Sequence, residues 1–364
     1  VAPPTSLRNF LDGLFSESGG SVSFERFMAE ALYHPEFGYY THHIRTVGGS
    51  RGDFATSATL SSLLGESIAA WIRAEIESLG LAPPIHLIEI GGGEGSLMRD
   101  VITALDAGKK PWWRRSRPRF HFHLVEISPR LRARQQETLK AMRRSITWHD
   151  SVESALAAAD GQAILFSNEL VDAFPVRLLR WVGHWSEVLV SFDPAEGLRE
   201  HFARPIDLDR DRFSVLREPE IWPSGQRVEL HESYRRWWEK WSPALKCGAL
   251  LTIDYGASAA DLYRKRPEGT LRAYFRHQRL TGAGIYRLFG QQDITADVCF
   301  DDLIDWGVKF GFSTTHHLSQ AEFLRSFAPK KCAGLAASDR AAAFLLDPDG
   351  AGGAFRALAQ RKSE

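Results

Sequence analysis

Residues 85–96 read Ile85-His86-Leu87-Ile88-Glu89-Ile90-Gly91-Gly92-Gly93-Glu94-Gly95-Ser96. An apolar run ends in an acid, and a glycine-rich turn follows at once. Leu97, Met98, Val101, Ile102 and Leu105 then recur at helical spacing. Buried strand, tight turn and helix form the opening unit of a nucleotide-binding α/β sheet. Glycine permits positive φ and lets a ligand approach bare backbone. The new helix N-terminus presents unpaired N–H groups and a partial positive charge.

The dinucleotide fingerprint G-x-G-x-x-G fits only in part, because Gly91 and Gly93 are followed by Ser96 at the third position. An acid-x-G-x-G-x-G pattern fits fully, with Glu89, Gly91, Gly93 and Gly95. It resembles the first motif of class I S-adenosylmethionine (SAM) methyltransferases. The carboxylate of SAM suits a helix N-terminus, and its ammonium suits a nearby acid. A nicotinamide or flavin site, or a turn that binds nothing, stays open on this stretch alone.

The chain has 364 residues, 44% of them hydrophobic, enough for one large domain or two modest ones. Lys+Arg 45 balances Asp+Glu 45, so charge gives no reason to expect nucleic acid or a membrane surface. No apolar run is long enough to span a bilayer, so no membrane insertion is expected. Cys247, Cys299 and Cys332 are scattered, which suits a reducing compartment rather than a disulfide framework or zinc site. The expected compartment is the cytoplasm of a bacterium, or the mitochondrial matrix in a eukaryote. The first residue is Val1, which leaves room for a removed targeting segment.

Around the glycine turn, helices are expected near 7–15, from Phe24 with Ser23 as N-cap, and over 60–79. The second strand, from His121, closes on Glu126, placed to take the ribose hydroxyls. His121 and His123 alternate on it without a third ligand, a weak metal signal, and no metal is expected. The arginine-dense loop 109–119 holds Trp112 and Trp113 and reads as a solvated connection. After a third strand near 145–148, Asp150 and Ser151 are placed to reach an adenine or to cap the next helix. A fourth strand, 163–166, runs into Ser167-Asn168-Glu169-Leu170-Val171-Asp172, a polar cluster beside the expected cofactor. Residues 176–181 and 185–192 suggest a hairpin, and 229–241 a helix whose Trp237, Trp238 and Trp241 read as core. A fifth strand, 249–253, ends in Asp254; 263–278 reads as a basic loop, Asp301 and Asp302 start a helix, and the last strands fall near 312–316 and 341–346.

Several segments together resemble the MidA-like family of SAM-dependent methyltransferases. They are 27–40, 52–57, 89–95, 168–175, 253–256, 270–273 and 293–298, in the family's order over roughly 20–330. The resemblance implies an α/β fold of class I methyltransferase type. That is a doubly wound Rossmann-like sheet, mostly parallel with its last strand antiparallel, an N-terminal helical lid and an inserted α+β segment. The expected division is a lid at 1–80, core at 81–175, an insertion at 176–241, core again at 242–348 and a tail at 349–364.

The family's mitochondrial member is a protein-arginine methyltransferase needed for assembly of respiratory complex I. The resemblance therefore implies SAM as cofactor, S-adenosylhomocysteine as product and arginine of a partner protein as acceptor. A small-molecule O- or N-methyltransferase and a SAM-binding, non-catalytic assembly factor are the alternatives; a homodimer is compatible with all three. Expected cofactor contacts are Glu89, Gly91, Gly93, Gly95, Glu126, Asp150, Ser151 and Asn168. Asp53, Thr56, Ser57, Tyr33, Gly38 and Tyr39 are expected to join them from the N-terminal segment. Guanidinium is a poor nucleophile that carboxylates can hold and deprotonate, so Glu169, then Asp172 and Asp254, are the catalytic candidates. The chain departs from the family at Ala58-Thr59, where Pro-Glu is usual, and in the loop between Gly256 and Thr270.

Overall fold

The apolar run before the glycine turn forms strand β1 (Ile85–Ile90), and the turn opens helix α2 (Ser96–Ala107), after α1 (Leu63–Leu79). A computed structural model describes residues 5–44, 61–107, 119–193, 195–217, 222–276, 278–334 and 339–363. The chain divides into unit 1 (Val1–Arg45, Val171–Trp237, Ala257–Asp302) and unit 2 (Thr46–Leu170, Trp238–Gly256, Leu303–Glu364).

Unit 2 carries the main sheet. Its further strands are β2 (Phe120–Val125), β3 (Ile146–His149), β4 (Gln162–Asn168), β5 (Cys247–Ala257), β6 (Ser313–Ser319) and β7 (Phe355–Lys362). They lie in the order β6-β7-β5-β4-β1-β2-β3. Pairs from β5 through β3 are parallel, and β7 is antiparallel to both its neighbours. This is a doubly wound sheet whose order reverses between β1 and β4, where such sheets bind ligands.

The parallel strands are covered by helices and read as near-continuous apolar runs for that reason. Leu87, Ile164, Phe166, Leu251 and Ile253 are fully buried with Trp71, Ile72, Met98 and Val101 of the helices. At Gly65 a Cβ would fall 2.6 Å from the Asp100 Cβ, so α1 and α2 cross closely there. Trp238 and Trp241 are buried and pack on Phe312.

Unit 1 is built on antiparallel pairing. Ser21–Ser23, Trp185–Asp193, Arg177–Trp181 and Arg227–Leu230 form one sheet, with Gly197–Ala203 on its side. Gln278–Leu280, Arg272–Phe275 and Asp293–Thr295 form a second. Ser23 caps Phe24–Tyr33, accepting from Arg26 N. That helix buries Phe24 and Phe27, whose rings meet Tyr286 and, for Phe27, Phe289.

The structure departs from the sequence reading in four places. Residues 341–346 are not a strand but lie in a helix, Arg340–Leu346, because alanines favour helix and Asp339 accepts the Ala342 N–H. The last strand is instead β7, within what read as a tail; it buries Ala357, Leu358, Ala359 and Gln360. Arg361 holds it by two bonds, 2.5 and 3.1 Å, to the buried Glu75 of α1. Helix 229–241 begins only at Glu232, since Arg227–Leu230 pairs with Arg177–Trp181. The basic loop 263–278 contains a strand, Arg272–Phe275. The two units are each discontinuous in sequence: α1 lies in unit 2, and 257–302 belongs to unit 1.

Phe166 lies at the centre of the sheet with no exposure. Phe166→Ala should lower unfolding stability by about 3–5 kcal/mol, read as a lower urea midpoint, through lost burial plus the cavity left behind.

Candidate active site

The reversal point of the sheet brings two turns together. After β1, Gly91, Gly93 and Gly95 all take left-handed backbone, at φ 68°, 51° and 85°. A side chain at any of them would be strained. A Cβ on Gly91 would also lie 2.7 Å from Leu170 Cδ1, in the turn after β4. In that second turn Glu169 is left-handed too, at φ 53°, without being glycine. Such backbone costs energy and persists only where the surroundings hold it. Here Glu169 N donates to Ile253 O at 2.9 Å, and Leu170 N donates to Asp254 Oδ2 at 3.2 Å. Asn168 Nδ2 donates to Glu169 Oε1 at 3.0 Å.

Glu89 lies under the glycine turn, 2% exposed. Burial, with the Glu126 charge adding, pushes its carboxyl up to about 8. Its Oε2 and the Asn168 Oδ1 are buried without a hydrogen-bond partner among the described residues. Glu126 is 5% exposed, and burial pushes it up to about 7. Its Oε1 accepts Ser128 N at 2.8 Å and its Oε2 accepts Gln135 Nε2 at 2.9 Å. Gln135 also donates to Gly93 O at 3.0 Å and accepts from Trp148 Nε1 at 3.0 Å. One glutamine of helix α3 (Pro129–Leu139) thus ties the glycine turn to the acid of β2.

Beside Glu126 a cleft of about 190 Å³ is lined by Ile127, Pro129, Arg132, Ala133, Gln136 and Asp150. Ile127 is 58% exposed, an apolar platform next to an acid. The Asp150 carboxylate is exposed and pairs with Arg132, which also donates to Glu126 O and His149 O. Ser151 caps helix α4 (Val152–Ala158), accepting from Ser154 N at 3.1 Å.

The structure therefore gathers Glu89, Gly91, Gly93, Gly95, Glu126, Asn168, Glu169 and Asp254 at the strand ends of unit 2. Ser151 takes the capping role, one of the two its position allowed. Asp254, fully buried, accepts from Leu170 N and Tyr255 N and so helps hold the second turn. Tyr33, Gly38, Tyr39 and Asp172 fall in unit 1. Gly38 is required there because a Cβ would lie 2.6 Å from His34 N and O, a close turn. Asp53, Thr56, Ser57 and the Ala58-Thr59 departure lie outside the described residues. Sequence reasoning missed Gln135; its signal was a polar residue at the buried spacing Leu131, Gln135, Leu139 of an otherwise charged helix.

His123 of β2 joins a ladder across three strands. His86 Nδ1 meets His123 Nε2 at 2.9 Å, and His123 Nδ1 meets His149 Nε2 at 3.0 Å. Burial lowers His123 to about 4, so it is neutral at pH 7. Among the described residues no group of three or more His, Cys, Asp or Glu is arranged to hold a metal.

The sheet order, the left-handed glycine turn and the acid of β2 define a class I methyltransferase fold with a SAM-type site. A family model described as "Putative S-adenosyl-L-methionine-dependent methyltransferase" matches residues 67–317, and the chain belongs to that family. It is similar to the "Protein arginine methyltransferase NDUFAF7 homolog, mitochondrial" of Drosophila melanogaster, 29% identical over 310 residues, 78% of this chain and 66% of that protein. It is also similar to "Protein arginine methyltransferase NDUFAF7, mitochondrial" of Rattus norvegicus, 27% identical over 316 residues, 79% and 66% of the two chains. The chain thus spans 66% of the length of these curated relatives. A Burkholderia thailandensis protein solved bound to S-adenosyl-homocysteine superposes with a TM-score of 0.84 at 28% identity, covering 100% of this chain and 95% of that one.

The residues present fit SAM. A bare glycine turn opens a helix, two buried polar atoms await partners, and an acid with an apolar platform suits ribose and purine. Glu89 and Glu126 are raised, so near neutral pH each is partly protonated in the protein alone. A cationic ligand with hydroxyl donors favours their ionised forms. SAM should therefore bind more tightly as pH rises through about 7 to 8, by up to about tenfold per pH unit for each proton released. Calorimetry in buffers of differing ionisation enthalpy reads the released protons, and Glu126→Gln should remove part of them.

Proposed function

We propose that this chain transfers the methyl group of SAM to an arginine side chain of a partner protein. The observation that carries the reading is the pair of left-handed turns at the ends of β1 and β4: a glycine cradle on one side and a glutamate held in strain on the other. The names of the relatives support arginine as acceptor.

Bound SAM would supply an electrophilic methyl on a cationic sulfur. Gly91, Gly93, Gly95 and the start of α2 would hold its carboxylate, Glu126 its ribose, and Ile127 its purine. Positioning supplies most of the rate in such an in-line displacement. A guanidinium is always charged, so the chain must localise that charge away from the attacking nitrogen. Glu169 is the first group for this task and Asp172 the second. As the new N–C bond forms, the C–S electron pair stays on sulfur. The nitrogen then sheds its proton to the carboxylate.

The three scattered cysteines support a reducing compartment, a bacterial cytoplasm or the mitochondrial matrix. The family's link to respiratory complex I names the first acceptor proteins to try.

Gly93→Val should abolish SAM binding in a folded protein, since valine cannot take the left-handed turn cheaply and would block the ligand. In extracts supplied with labelled SAM, the wild type should place label in methylarginine after acid hydrolysis. Glu169→Gln should lower that transfer about a hundredfold or more while leaving SAM affinity near the wild-type value. Label in a small molecule instead would redirect the acceptor, and SAM binding without transfer would make the chain a non-catalytic SAM-binding factor.

A further inference from the structure

Asp293 starts a strand of unit 1 and is 2% exposed. Its Oδ1 accepts the Tyr40 hydroxyl at 2.9 Å. Asp172 adds a like charge to it, offset in part by the Ile294 N–H and by Arg272, and the Asp172 main-chain oxygen accepts Ala296 N at 3.1 Å. Two carboxylates are thus brought together in a buried setting, which is costly unless a proton or a cation joins them. Among the described residues no lysine or arginine forms an ion pair with Asp293. Arg272, on the facing strand, is taken by Asp297, by the Tyr274 hydroxyl at 3.0 Å and by Thr270 O at 3.1 Å.

Three further features point to a ligand rather than to a structural pair. Thr295, two residues on and on the same strand face, is 2% exposed, and its Oγ1 has no partner among the described residues. Tyr33 and Tyr40 stack with ring centroids 5.6 Å apart and 15° between planes. Both are only half-buried, so the tyrosine pair forms a wall that solvent reaches. Tyr33 is fixed by its hydroxyl on Ala173 O at 2.9 Å, and Tyr39 meets Tyr40 edge-on at 5.1 Å. A carboxylate, a spare hydroxyl acceptor and a flat aromatic wall are what a planar guanidinium requires.

We propose that Asp293, oriented by Tyr40 and joined by Asp172 and Thr295, binds the guanidinium of the arginine acceptor, with Tyr33 and Tyr40 as its stacking wall. This rests on the arginine-transfer reading and adds substrate-side residues to it. A guanidinium presents five N–H donors, enough to engage the Asp293 and Asp172 carboxylates and the Thr295 hydroxyl of unit 1 together. Burial and the Asp172 charge push Asp293 up to about 7, so an arriving cation also draws it into its charged form.

The test uses the full chain with N-acetyl-arginine methylamide and its neutral analogue N-acetyl-citrulline methylamide, titrated by NMR at pH 8. The wild type should prefer the arginine probe by about tenfold or more, the worth of one charge-assisted pair. Asp293→Asn should remove about tenfold of the arginine affinity and leave SAM affinity, by calorimetry, within about twofold. Equal binding of both probes, no binding of either, or an Asp293→Asn protein that binds arginine as the wild type does would overturn the proposal. Should Asp293→Asn fail to fold, Tyr40→Phe takes its place and must weaken the arginine probe about threefold, as loss of the orienting hydroxyl predicts. Failure of SAM binding in the wild type would overturn the methyltransferase reading, whereas the probe titration reads the guanidinium seat by itself.

Discussion

The sheet of unit 2 reverses direction between β1 and β4, and both strand ends there turn through left-handed backbone. At the end of β1 three glycines meet the demand without strain. At the end of β4 a glutamate meets it with strain, and the protein surrounds Glu169 with fixed contacts. Ile253 O takes its N–H, Asp254 takes the next N–H, and Asn168 bonds its carboxylate. The two turns also touch, through Gly91 and the Leu170 side chain. A larger residue at 91 would require left-handed backbone at a strain and would make the end of the Leu170 side chain move. The cofactor turn and the turn that carries Glu169 therefore share a packing contact.

Much of this was legible in the sequence, for identifiable reasons. Parallel strands covered on both faces are uninterrupted apolar runs, so β1, β4 and β5 announce themselves. Glycines at alternate positions after an acid fit the acid-x-G-x-G-x-G pattern fully, where G-x-G-x-x-G fits only in part. Glu126 is readable because strand ends of a doubly wound sheet face the crevice. The rest depends on partners distant in sequence. The stretch 355–362 looks like a basic tail until β5 and β6 are present for it to pair with. The run 341–346 is short and apolar, and such runs do not distinguish strand from helix by period. Gln135 looks like one polar residue among arginines until Gly93 O, Glu126 and the Trp148 indole converge on it. The histidines of β2 carry no motif of their own, yet strand pairing places His86 and His149 within hydrogen-bond distance of His123.

The ionisable groups share a pattern. In unit 2 Glu89 and Glu126 are raised and His123 is lowered, each mainly by burial. In unit 1 Asp293 is raised and His231 lowered for the same reason. Burial favours the neutral form of acids and bases alike. A site built this way carries little fixed charge before its ligand arrives and can generate negative charge beside a cation when it does. SAM and the proposed arginine acceptor are both cations, which favour the ionised forms of such acids. Asp150 illustrates the contrast: its carboxylate is exposed and already paired with Arg132.

What the oxygens of each acid touch separates the roles further. Asp254, fully buried, accepts from Leu170 N with one oxygen and Tyr255 N with the other, and so helps hold the geometry of the second turn. Glu126 accepts Ser128 N, Gln135 Nε2 and the Ile127 N–H, which leaves room among a carboxylate's roughly four lone-pair sites for a ribose hydroxyl. Glu89 keeps Oε2 unengaged beneath the glycine turn. Asp293 has one oxygen on the Tyr40 hydroxyl. The gradation runs from an acid that helps build the turn, through acids oriented by several hydrogen bonds, to Glu89, whose Oε2 has no partner among the described residues. Sequence singles out Glu89, Glu126 and Asp254 by their places at strand ends and passes over Asp293; the hydrogen bonds show how each of the four is held.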